Sequence, residues 1–172
     1  MPASTNYQRL LRSSHDVFQR FRKIEPKAWN KQTLLLELHA EIGSLIHAIL
    51  DIEGYKVGAG NLEKIKNEAA DVLFIALRIL DQYPNPTLPN IAVDHAPEIE
   101  EIVLEIANAG SKLYIDVNTD KANLAKIISL LDLLAEHYCF SLERSYLYEL
   151  RKCRLWQFTF LYKHFKLSTR RK

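Results

Sequence analysis

Apolar positions recur at three- and four-residue intervals through most of this chain, a period that belongs to amphipathic helices rather than strands. A first helix is expected over about Tyr7 to Lys23, with Leu10, Leu11, Val17, Phe18 and Phe21 as its apolar stripe. After a connector at Glu25–Gln32, the stretch TLLLELHAEIGSLIHAIL predicts a second helix from Thr33, as N-cap, to Asp51. The segment GYKVGAG, Gly54–Gly60, holds three of the five glycines and reads as a loop. Asn61 can cap a third helix that ends near Gln82, where the proline- and asparagine-rich YPNPTLPN interrupts the pattern. Further helices are expected over about Pro97–Tyr114, with Pro97 in the first turn, over Lys121–Tyr138, and over Ser141–Lys152, which Ser141 and Glu143 open. The closing run WQFTFLYKHFKLSTRRK has no clean period and reads as a basic, aromatic tail over 156–172. The fold class these elements predict is all-α.

The second half echoes the first. ELHAEIGSL (Glu37–Leu45) aligns with EIVLEIANA (Glu101–Ala109), and NLEKI (Asn61–Ile65) with NLAKI (Asn123–Ile127). A fused tandem of two helical hairpins, over 33–82 and 97–138 within one domain spanning 1–155, accounts for the echo. The copies differ in chemistry, because Leu130 and Leu133 stand where Glu68 and Asp71 would fall.

Charge divides the chain unevenly. Of 23 basic residues, eight lie from Arg151 onward with no acid among them, so the preceding 150 residues hold 15 basic against 21 acidic side chains, a net of −6. No uninterrupted apolar run approaches the roughly 18–20 residues that span a bilayer, and the N-terminus lacks a signal peptide's apolar segment. Cys139 and Cys153 are too few for a disulfide framework or a zinc site, and are expected to be free thiols of a cytoplasmic protein. The tail, with Trp156, Phe158, Phe160, Tyr162 and Phe165 among its basic residues, allows a helical interaction module that contacts nucleic acid. A terminal element docked on the bundle explains the same composition.

Candidate chemistry lies in two acidic pairs, Glu37 with Glu41 and Glu68 with Asp71, each on an otherwise apolar helix. Side chains three or four residues apart share one helix face. Taking Glu37 as zero, Glu41 falls at about 40° and Ser44 at about −20°, a narrow polar slot between leucines. Stacked like charges cost roughly 0.2–0.5 kcal/mol on an exposed helix and more as water is withdrawn. A hard divalent cation such as Mg2+ reverses that sign, and four oxygen donors suit it better than zinc. The ordinary alternative is a solvated bundle edge, with Lys64 pairing Glu68 one turn away.

The order of these motifs, ExxE, a glycine-containing loop and then ExxD written as E-x-A-D-V-L, resembles the signature of the MazG-like all-α NTP pyrophosphohydrolases. NEAADVLFIAL matches its second half, LLLELHAEIGSL resembles the first half as in the dCTP pyrophosphatase branch, and FSLERSYLYELRKCRLWQF resembles the closing helix. The resemblance covers roughly Trp29–Leu80 and Phe140–Trp156. It implies a MazG-like helical bundle, a homo-oligomer such as a dimer, and Mg2+-dependent (or Mn2+-dependent) hydrolysis of a nucleoside triphosphate to the monophosphate and pyrophosphate. On that basis Glu41, Glu68 and Asp71 are catalytic and hold the metal; Glu37, out of register with the pattern but one turn before Glu41 on the same face, can substitute as a further metal ligand. Three positions depart from the pattern: Ser44 stands for the second Glu of ExxE, Ala40 for a Glu that often precedes the first, and Cys153 for the Asn of the closing helix. A catalytically degenerate nucleotide-binding or regulatory protein is therefore the second reading.

Four further residues are candidates for substrate binding. Trp29 can stack on a base or serve as a buried anchor. Lys56 in the glycine loop can meet a phosphate or remain a solvated loop lysine. Lys152 and Arg154 match basic positions of the closing helix, or interact with the helix dipole. No Walker A, GxSxG or HExxH motif is present, and no E-x-x-H pair points to a di-iron site.

Overall fold

A computed structural model describes residues 6–57, 60–91, 98–113 and 116–169, with side chains to Thr159. It is all-α: among the described residues there are six helices and no strand, namely α1 (Tyr7–Ile24), α2 (Lys31–Ile52), α3 (Leu62–Leu80), α4 (Ile99–Ser111), α5 (Val117–His137) and α6 (Leu142–Thr169). Five of the six helix starts carry a side-chain cap, α4 being the exception. Asn6 accepts from the Arg9 amide, Asn30 from Thr33, Asn61 from Glu63, Asp116 from Asn118 and Thr119, and Ser141 from Arg144.

Two of these caps move boundaries that periodicity set elsewhere. Helix α2 starts at Lys31 because Asn30, not Thr33, is the N-cap; the Thr33 amide and hydroxyl both donate to the Asn30 side chain. Helix α5 starts four residues before Lys121 because Asp116 captures two free amides, which draws Asp120 into the helix. The expected first-turn Pro97, the Tyr114 end of the fourth helix, and Gly58 and Ala59 of the loop lie outside the described residues. Gly60 closes that loop by close approach: a Cβ there would sit 2.2 Å from Ile52 Cα, so only glycine fits.

Helix α3 is the hub and packs on α2, α5, α6 and α1. Its residues from Val72 to Leu80 are all buried, which is why its sequence is apolar around nearly the whole circumference. The α2–α3 and α4–α5 hairpins pack side by side, α2 on α4 and α3 on α5. Buried Asp120, at the start of α5, gathers Lys31 from the start of α2 and the Tyr83 hydroxyl just past α3 (2.8 Å for the latter). At the other end, Tyr55 donates to Glu100 and Tyr138 to Glu53, each at 2.7 Å. Helices α2 and α5 therefore run in the same direction, and α4 begins at the end opposite to where α3 stops.

Helix α1 lies across α3 and α6, with Phe18 and Phe21 edge-on to Phe74 and Ser14 hydrogen-bonded to the Tyr146 hydroxyl at 2.5 Å. Helix α6 does not end at Lys152 but continues as one helix to Thr169. Its extension is anchored by Trp156 stacked on Phe21 and by buried Gln157, which donates to the Val17 carbonyl at 3.0 Å. Exposed Leu155 and Phe158 on the outer side blurred the period there. Phe160, Tyr162 and Phe165 lie outside the described side chains. By length and composition α2 does pass for a bilayer-spanning helix, contrary to the expectation from apolar runs, because an 18-residue stretch of it holds at most two charged residues and its mean hydropathy stays high. Here its apolar residues Leu34, Leu38, Ile42, Leu45 and Ile49 belong to the bundle core.

Candidate metal centre

Glu41 comes from the middle of α2, and Glu68 and Asp71 from facing turns of α3. One carboxylate oxygen from each lies within 4.8 Å of the other two, and all three side chains are half-buried. Glu37 lies one turn before Glu41 and adds a fourth negative charge that acts on it, although it is not part of the close group. Among the described residues, no lysine or arginine is within ion-pair distance of Glu41, Glu68 or Asp71. Lys64, the residue that would pair Glu68 at a solvated bundle edge, instead reaches Asp51 on α2 at 3.3 Å.

The electrostatics register this crowding. Burial, then Glu37 and Glu68, push the Glu41 carboxyl above its ordinary value. Burial, then Glu149, Glu41 and Glu68, push Asp71 up to about 7, against the opposing charge of Lys152. The donor set is all carboxylate oxygen, which fits Mg2+ or Mn2+ and not a soft-ligand site. Its spread is slightly wider than the roughly 3–4 Å between oxygens on an octahedral Mg2+, a gap that two flexible glutamates can close.

Of the other candidates, Lys152 alone is brought to this corner. It contacts Glu149 on its own helix, and its charge acts on Asp71. Arg154 faces away and donates to the Ser13 carbonyl of α1 at 2.7 Å. Lys56 rests against His47. Trp29 takes the anchoring role: its ring lies 4.8 Å from the guanidinium of buried Arg78, which Phe21 flanks on another side and Glu25 neutralises at 2.5 Å. Arg78 stands seven residues beyond Asp71, about 10 Å along α3.

Sequence reasoning missed Glu149. It is the last acid in the chain and stands among Tyr146, Leu147 and Leu150, a burial signal for a charged residue. Neighbouring Cys153 has its thiol pushed up to about 11 by burial and by the Asp71 and Glu149 charges, so it is protonated and unreactive at neutral pH. Compared with known protein families, curated proteins and solved structures, the chain matches none.

Proposed function

We propose that this protein is a MazG-like nucleoside triphosphate pyrophosphohydrolase that works with Mg2+ or Mn2+. The observation that carries this reading is the convergence of Glu41, Glu68 and Asp71 within 4.8 Å, half-buried and with no protein cation at ion-pair distance among the described residues. Such a group is costly unless a bound cation offsets it. The sequence resemblance in NEAADVLFIAL supplies the reaction class.

Bound Mg2+ would supply Lewis acidity toward the triphosphate and lower the pKa of a coordinated water. The chain's own residues hold and orient. Glu41, Glu68 and Asp71 present hard oxygens from two packed helices, and Lys152, whose charge is felt at Asp71, neutralises a phosphate oxygen. Water adds at the α–β link, the bridging P–O bond breaks to release pyrophosphate, and the water's proton passes to one of the carboxylates.

The test is pyrophosphate release across a panel of canonical and modified nucleoside triphosphates with Mg2+ or Mn2+. Release that falls by more than about 100-fold in Glu68→Gln and in Asp71→Asn supports the enzyme. Ser44, which offers a neutral hydroxyl where the pattern has Glu, favours a second reading: a nucleotide-binding protein without turnover. Nucleotide binding without release in the wild type selects it, and absence of both removes the nucleotide readings altogether.

A further inference from the structure

We infer that the outer face of α6 binds single-stranded nucleic acid, with Tyr148 and Phe158 stacking on bases and Arg144 and Arg151 meeting phosphates. The two sides of this helix have different tasks. Taking Arg144 as zero and about 100° per residue, Leu142, Tyr146, Leu150 and Gln157 fall between about 160° and 240°. All four are buried, where α6 packs on α1, α3 and α5. On the opposite side Tyr148 falls at about 40°, Arg151 at about −20°, Leu155 at about 20° and Phe158 at about −40°. With Arg144 these residues share an arc of about 80° that runs about 21 Å along the helix. All five are exposed, Tyr148 by 59 %, Leu155 by 71 % and Phe158 by 72 %.

The chemistry of the arc says what meets it. It carries positive charge and no acid. Both acids of α6 lie off it and are engaged, Glu143 by Arg9 at 3.3 Å and Glu149 by Lys152. Among the described residues no ion pair neutralises Arg144 or Arg151. From Arg151 onward the chain holds eight basic residues and no acid, so the occupant is a polyanion. Along the arc, guanidiniums and apolar side chains interleave: Arg144, Tyr148, Arg151, Leu155, Phe158. A helix that lies in a lipid interface separates its basic residues from its apolar ones, and this one does not. A strand of nucleic acid has the matching alternation, charged backbone beside flat bases. In a duplex the base faces are covered by their neighbours and offer exposed rings no partner, which selects the single strand. Lys152 lies over the Tyr148 ring, 5.3 Å from its centroid, and steadies it at the surface. The carboxylate group of α2 and α3 takes no part in this surface.

Fluorescence anisotropy of labelled oligo(dT), oligo(U) and a mixed-sequence duplex, titrated with the full-length protein, tests the assignment. Both single strands are expected to bind, the duplex at least about tenfold more weakly, with affinity falling as NaCl rises from about 50 to about 200 mM. Arg151→Gln should weaken binding and flatten the logarithmic salt slope by about 0.7, the share of one phosphate contact on a single strand. Phe158→Ala should weaken binding by about fivefold or more and leave that slope unchanged, because it removes stacking and no charge. Both positions are exposed, so the melting curves should match the wild type. Lys112→Gln removes a charge just past α4, on which α6 does not pack, and should bind as the wild type does. Tighter binding of one single strand supports the surface and names DNA or RNA as its source. Equal binding of duplex and single strands, or Phe158→Ala without effect, overturns the inference. Equal losses in Lys112→Gln and Arg151→Gln overturn it too, since net charge alone is then at work. If no oligonucleotide binds, it is also overturned: pelleting with phosphatidylserine vesicles then gives the face to a lipid surface, and self-association that shields Phe158 gives it to a second copy.

Discussion

Glu41 in the α2–α3 hairpin and Glu105 in the α4–α5 hairpin hold matching places in the sequence echo, and they meet opposite surroundings. Glu105 has a lysine of its own hairpin, with Lys126 Nζ at 3.1 Å. The lysine matching Lys126 is Lys64, and it leans away to Asp51, so Glu41 faces Glu68 and Asp71 instead. Where α3 carries those two acids, α5 carries Leu130, fully buried, and Leu133, half-buried in the core. One hairpin has thus paired Glu105 internally and filled the matching space with hydrocarbon. The other keeps three carboxylates together with no internal counterion, a cost that stability alone does not explain. On the proposed reading the first hairpin is shaped by a ligand, whereas the second is shaped by packing.

The harshest way to break that contrast is to make the second hairpin resemble the first. Leu130→Glu places a carboxylate in a fully enclosed position with no partner, and the expected loss is about 3 kcal/mol of folding free energy, read from urea unfolding. Leu133→Asp, at a partly exposed site, should cost less than half of that. If Leu130→Glu is as stable as the wild type, the second hairpin has room and polarity for an acid, and the contrast in packing is wrong.

The pH dependence of stability sharpens the other side. Asp71 is pushed from 3.8 up to about 7 in the folded protein, chiefly by burial and then by Glu149, Glu41 and Glu68. Between those values the folded state holds a proton that the unfolded chain has released. Stability without metal therefore declines as pH rises from about 4 to about 7 and is level above that. Allowing for the partial solvent exposure of Asp71, the decline is about 1–2 kcal/mol. Urea unfolding with a chelator present should show it. Asp71→Asn should flatten it and exceed the wild type in stability above pH 7, and added Mg2+ should restore the wild type there. A wild type that gains stability through this window contradicts the uncompensated cluster.

What the sequence made legible follows the range over which each feature is determined. The acids of α3 were readable because Glu68 and Asp71 are three apart on one helix, and their meeting with Glu41 needed only a hairpin. The helical class, the Asn61 cap and the opening of α6 at Ser141 were equally local. Glu149 was not readable from sequence, because its influence on Asp71 depends on α6 packing on α3 after 77 intervening residues of chain. Trp29 presented the same ambiguity, and only the depth of Arg78, an arginine inside an unbroken buried run, shows what its ring covers. The α6 extension was hidden for a different reason: Leu155 and Phe158 are exposed while Gln157 is buried, so polarity and burial part company there.

The gentlest probe returns to the pair that quiets the second hairpin. Glu105 and Lys126 are each about one-third exposed at the side chain, 34 % and 35 %, so solvent screens their attraction. Lys126→Gln should therefore change stability by no more than about 0.5 kcal/mol, and a change of 0.5 M NaCl should shift wild type and variant alike within that margin. The smallness is informative. If removing Lys126 left Glu105 in the situation of Glu41, crowded and desolvated, the cost would be several times larger and the variant would acquire the pH dependence expected of Asp71. A flat pH profile in Lys126→Gln means that one carboxylate without a counterion is tolerable on this scaffold. The burden in the first hairpin then lies in bringing several together, which is the arrangement a divalent cation relieves.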